Sequence, residues 1–180
     1  MDDGAPSVAA RDDLAGVVDL FDWLTRAELS RALSELAFKQ RTEVDEDAIA
    51  AAIDAAIAEY ALVPAPSAAL SEAGSPVESD DGTTTDTEAA GLTVGPAAFP
   101  SLPADAEDLP HILDIPDRDV DRALLADAVL DRLSEDAVAA ITAGDAERLE
   151  TLADVTYDIE AWAPVDAGDI RERIVSELDG

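Results

Sequence analysis

The chain has 180 residues, 42 of them acidic and 11 basic, for a formal charge of −31. There is one Lys (Lys39), one His (His111) and no Cys, and the absence of Cys excludes disulfides, thiolate metal sites and Cys nucleophiles. The apolar share of 48% is too high for a wholly disordered chain, but much of it is Ala and aromatics reach only 4%, so the core is thin.

Residues 1–11 read as a frayed tail. The first predicted helix runs from Asp12 to Leu24, where Leu14, Val17, Val18, Phe21 and Leu24 form one apolar stripe. Thr25 and Glu28 have the spacing of a capping box, so a second helix starts there. It carries Leu29, Ala32, Leu33 and Leu36 on one face and ends near Lys39–Arg41. A third helix begins near Asp45, with Ile49, Ile53, Ile57 and Tyr60 on one side and acids in its first turn. Tyr60–Val63 and Leu92–Val94 read as short strands. Between them, Ser71–Ala90 has almost no large apolar residue and reads as a disordered acidic loop.

Prolines at 100, 103, 110 and 116 predict an extended or tightly turned segment over residues 96–116. Helices resume over Asp117–Leu133 and Glu135–Ala143, with Gly144 as a stop. Asp145 then caps Ala146–Thr156, a Tyr157–Trp162 segment follows, and Asp166 caps a last helix containing Ile170, Ile174 and Leu178. The expected fold is mainly α: a winged-helix-like three-helix unit with a short β-hairpin over residues 12–100, and a helical unit over residues 101–180.

The charge is spread along the chain. Residues 1–63 carry 14 acids and 5 bases, residues 64–104 carry 6 and none, and residues 105–180 carry 22 and 6. Ordinary domains keep the magnitude of their net charge to about 2–8, because self-repulsion opposes compaction. Dispersed acid, Arg in place of Lys, and Ala in place of bulky side chains together read as adaptation to molar salt, where the Debye length falls to about 3 Å. Localised acidic runs would instead suggest a cationic partner. The N-terminus lacks a basic region followed by an apolar one. The most apolar stretch, Ala48–Val63, is broken by Asp54 and Glu59 and is shorter than a membrane span. A cytoplasmic location is therefore expected.

Three helices and a hairpin raise the question of DNA binding, which needs Lys and Arg at the phosphates. From Thr42 through Asp117 there is no Lys or Arg, and this gap covers the whole third helix and the hairpin. Arg26, Arg31, Lys39 and Arg41 lie close by in sequence but do not share one helical stripe. The run Asp117-Arg-Asp119-Val-Asp121 opens like a Ca²⁺ loop, yet Arg122 and Ala128 stand where Gly and Glu are required. It reads as a solvated helix start. His111 has no Cys or second His for a zinc site and no Gly-x-Ser-x-Gly elbow beside it, so it reads as a packed turn bonding backbone. No phosphate-binding glycine loop occurs. Phe21, Trp23, Phe38, Phe99, Tyr157 and Trp162 read as core anchors. Phe99 and Trp162, each close to a proline, are candidates either to pin the extended segment or to contact a partner.

The segments Leu14–Phe21, Leu24–Lys39, Ala98–Pro103, Asp108–Pro116 and Tyr157–Pro164 together resemble a family of small, uncharacterised, acidic haloarchaeal proteins. No activity is assigned to that family, so the resemblance implies a salt-rich cell and transfers no functional residue. The expected function is that of a non-enzymatic adaptor or regulator acting through protein contacts, without cofactor or metal. The alternative is a winged-helix transcriptional regulator that holds DNA with its N-terminal unit. Candidate partner-contact residues are Arg26, Arg31, Lys39, Arg41, Phe99 and Trp162.

Overall fold

A computed structural model describes residues 8–43, 45–73 and 91–180. The chain divides at Val120 into two compact units, so the proline-bounded segment belongs to the first unit, not the second. The architecture is mainly helical with small antiparallel sheets.

In the first unit, α1 spans Val8–Asp19 and buries Leu14, Ala15, Val17 and Val18. The helix begins inside the expected tail and stops short of Leu24. Asp22 takes a left-handed conformation (φ 64°), one that Asp tolerates better than most residues. Trp23–Leu24 then form strand β1. The helical period through Phe21 and Leu24 is real, but pairing with a distant strand overrides it. α2 (Arg26–Lys39) starts as expected: the Thr25 hydroxyl accepts from the Glu28 amide at 3.2 Å, and the Thr25 amide donates to the Glu28 carboxylate at 2.8 Å. α3 (Glu46–Ala58) is capped by Asp45, whose carboxylate accepts from the Asp47 and Ala48 amides. Tyr60 lies beyond α3 with φ 61° and is fully buried.

β2 (Leu62–Ala65) and β4 (Gly91–Val94) complete a three-stranded antiparallel sheet of order β1-β4-β2. Leu24 faces Leu92, and Leu62 faces Val94, all four within the helical core. Alternation places Trp23, Thr93 and Val63 on the opposite face, and these are buried too.

The expected acidic loop does not begin at Ser71. Ser71 and Glu72 belong to β3 (Leu70–Glu72), which pairs antiparallel with β5 (Arg118–Val120). Residues 74–90 of that expectation lie outside the described residues. The 96–116 segment is not extended throughout. Ala106–Asp108 form a 3-10 turn, and Leu109–Leu113 form α4, with Pro110 in its first turn, where no amide donor is needed. His111 stands exposed on α4, not packed in a turn.

Phe99–Pro103 crosses α1 at close range. The Phe99 amide donates to the Asp12 carboxylate, the Ser101 amide to the Asp12 carbonyl and the Ser101 hydroxyl to Asp13. Gly16 makes this crossing possible, because a Cβ there would lie 1.9 Å from the Ser101 carbonyl oxygen. Gly16→Ala is expected to lower stability by about 1–3 kcal/mol, the usual cost of overpacking. Urea unfolding in molar KCl checks this, and an unchanged midpoint would contradict it.

The second unit is a three-helix packing. α5 is one continuous helix, Arg122–Ala143, instead of two, and Asp121 is its cap residue. Of the Asp-x-Asp-x-Asp run, Asp117 precedes β5, Asp119 lies within it and Asp121 is this cap, so the run is not a single helix start. Gly144 ends α5 in the left-handed conformation (φ 66°), as expected of a glycine stop. α6 runs from Ala146 through Trp162, absorbing the segment after Thr156. α7 spans Gly168–Leu178, and Asp166 accepts from the Gly168 amide just before it. Leu125, Val129 and Leu133 of α5, Leu152 and Ile159 of α6 and Ile174 of α7 form the buried stripes. No helix of the described residues is long and apolar enough to cross a membrane.

Candidate functional site

The cations decide what each surface can hold, because so few are present. Arg26, at the start of α2, reaches across to α3, bonding Asp54 at 2.6 Å and the Ala50 carbonyl at 3.3 Å. It is spent on the face that a recognition helix would present. Lys39 bonds Asp108 at 2.8 Å and holds its carboxyl below the usual range. With Gln40, which donates to the Ala104 carbonyl, it ties the end of α2 to the segment before α4. Arg41 is exposed and takes the left-handed position after α2 (φ 55°), where it ends the helix. Arg31 is exposed and forms no ion pair among the described residues. These four residues do not form one basic patch.

The outward face of α3 carries exposed Asp47, Ala51, Asp54 and Ala58. Its charged residues are acids, and its other side chains are small. Between α2 and α3 lies an open groove of about 380 Å³, lined by Leu33, Leu36, Ala48, Ile49, Ala52 and Pro103, among others. Its charged lining residues are Asp13, Glu43 and Asp45, and none is Lys or Arg.

The aromatics divide in two. Phe21 and Trp23 are buried, as core anchors should be. Phe38 and Phe99 are each 77% exposed and Tyr157 is 59% exposed, so none of these three anchors a core. It is the backbone of Phe99 that pins its segment, leaving the ring free. Trp162 belongs to the second unit, half-buried at the end of α6, with the Arg122 guanidinium 5.7 Å from its ring.

The most heavily bonded cation was not among the candidates. Arg118 of β5 has only 4% of its side chain exposed. Its guanidinium meets Glu28 through two bonds of 2.8 and 2.9 Å, bonds Glu72 at 3.0 and 3.2 Å, donates to the Trp23 carbonyl and stacks 3.8 Å from the Trp23 ring. Burial works to lower the Arg118 pKa, and the two carboxylates outweigh it and raise it. The hydrogen bonds from Arg118 hold the Glu28 carboxyl below its usual range. Because Glu28 also closes the capping box of α2, the cluster is a clasp joining β1, α2, β3 and β5. The available sequence signal was Arg118 as the first base after a long cation-free stretch.

In the second unit, Arg171 of α7 plays a similar part. It donates to the Thr156 hydroxyl at 2.8 Å and to Glu160 at 2.6 Å, and stacks 3.9 Å from the Tyr157 ring. The same bond lowers the Glu160 pKa, while burial and the nearby Asp154 raise that of Asp158. Among the described residues, no group of three or more Asp, Glu or His side chains is placed to hold a metal ion.

The model of a family of unknown function, DUF7109, matches residues 12–179 of the chain. No curated protein and no solved structure matches it.

Proposed function

The chain belongs to the DUF7109 family, and for it we propose a non-enzymatic adaptor or regulatory role in the cytoplasm of a salt-accumulating, haloarchaeal cell, exerted through protein contacts. The element order α1–β1–α2–α3–β2–β4, with sheet order β1-β4-β2, is read as winged-helix-like. One observation carries the protein-contact reading. The exposed face of α3, where a winged helix reads DNA, holds Asp47 and Asp54, and the nearest cation, Arg26, is bonded to Asp54. Such a face repels phosphate. Molar salt would weaken any remaining phosphate contacts further, since affinity falls steeply with salt.

The second reading, a DNA-binding regulator, rests on exposed Arg31 and Arg41. Fluorescence anisotropy with labelled duplex fragments in molar KCl separates the two. Flat curves are expected for the native protein. Saturable binding that is lost on changing Arg31 and Arg41 to Glu would make the regulator the better account.

A further inference from the structure

We propose that the groove between α2 and α3 is the docking site for an amphipathic helix of a partner protein, with Leu-like side chains on its buried stripe and Lys or Arg flanking them. This rests on the protein-contact reading above and gives that partner a chemistry. The first argument is spacing. The α2 wall is Leu33, Leu36 and Ala37 with the cap residue Gln40 just past its end, and the α3 wall is Ala48, Ile49 and Ala52 with the cap residue Asp45 just before it. Counted with its cap residue, each wall steps at i, i+3, i+4, i+7 and runs for about 10 Å at 1.5 Å per residue. A third helix is the element whose own i, i+3, i+4, i+7 side chains match that length. The volume of about 380 Å³ has room for a few such apolar side chains and falls in the range of ordinary binding clefts.

The second argument is charge. Asp13, Glu43 and Asp45 are the charged groups of the lining, and exposed Glu46 and Asp47 continue beyond Asp45. No Lys or Arg of this chain lines the groove to answer them. An acidic partner, including a second copy of a chain with formal charge −31, would bring like charge to this rim. At molar salt only contact-range pairs survive screening, so the partner's cations must sit directly beside its apolar stripe.

The test uses a fluorescein-labelled 18-residue helix with Leu at the stripe positions and Lys beside them. Its controls are a twin with Glu in place of Lys and a scrambled peptide of the Leu/Lys composition. Anisotropy is measured against the full chain in molar KCl. Saturable binding of the Leu/Lys helix is expected, at least tenfold tighter than the scrambled peptide or the Glu twin. Ala48→Trp, which fills the groove from an exposed position, should weaken it tenfold or more. Ala51→Trp, exposed but outside the lining, should leave it unchanged. Glu43→Lys should narrow the preference for Lys over Glu, a readout that needs no cavity-filling variant. Circular dichroism confirms that each variant folds. Equal binding of the scrambled peptide, or indifference to both Ala48→Trp and Glu43→Lys, would overturn the groove assignment. If duplex DNA stays unbound in that case, the broader protein-contact reading still stands. Sedimentation showing that Ala48→Trp turns a dimer into a monomer would make a second copy the occupant and overturn the partner's chemistry.

Discussion

Lowering KCl from molar strength to about 0.1 M is expected to remove most of the helical signal in far-UV circular dichroism. The excess charge is −31, and the chain has only 11 bases with which to offset it. Seven of those (Arg11, Arg26, Lys39, Arg118, Arg132, Arg148 and Arg171) already pair with acids in the folded state. The surplus acids must therefore be screened by solvent ions. At about 0.1 M the Debye length is about 10 Å, so carboxylates repel one another across that reach, whereas at 1 M it is about 3 Å. The opposing term is small. The core is built from Ala, Val, Leu and Ile, and its buried aromatics are Phe21, Trp23 and Tyr60. Net stabilities of about 5–15 kcal/mol leave little margin for repulsion of this size. Sucrose at matched osmolality separates screening from general exclusion effects: it should restore much less helix than KCl. Full helicity with a cooperative melt at 0.1 M would refute the solvent-adaptation reading.

What could be read from the residue order and what could not divide along sequence distance. The capping box at Thr25 and Glu28, the Asp145 cap and the Gly144 stop are complete within four residues, and the structure keeps them all. β1 was hidden because Phe21 and Leu24 continue a helical stripe, and only pairing with Leu92 and Thr93 makes Trp23–Leu24 a strand. β3 was hidden for a similar reason: Ser71 opens a polar stretch and gains its structure from Asp119, 48 positions away. In the other direction, Ser134 and Glu135 looked like a boundary but lack the Gly or Pro that would break a helix, so α5 runs through them. The candidate cations were visible as residues, but their engagement was not. Arg26 and Lys39 are occupied by Asp54 and Asp108, partners that no local pattern identifies. The groove walls were each legible as helix, while their pairing into one cleft depends on how α2 and α3 pack.

Replacing Arg118 is expected to cost the first unit about 2–3 kcal/mol of stability. Breaking a buried ion pair on one side costs about 3–5 kcal/mol, and the partial exposure of Glu28 and Glu72 moves the expectation below that range. Arg118→Met keeps much of the bulk over Trp23 but leaves two carboxylates converging on an empty position. Arg118→Lys keeps the charge yet cannot reproduce the two parallel bonds to Glu28, so it should recover only part of the loss. The pH dependence identifies the cause. Glu28 has its carboxyl lowered from an ordinary value of 4.5 in the folded state. A group lowered on folding contributes stability above its unfolded pKa and loses that contribution as pH falls through the folded one. The gap between native protein and Arg118→Met should thus be full near pH 7 and shrink on acidification below about 4.5, as Glu28 protonates and the variant's facing carboxylates are relieved. The gap should persist in molar KCl, because a guanidinium with 4% exposure is poorly reached by salt. Urea midpoints for native, Arg118→Met, Glu28→Gln and the double variant, at pH 7 and pH 4, measure it. A gap independent of pH, or single-variant losses that simply add, would show that Arg118 acts through packing on Trp23 and not through the carboxylates it bridges.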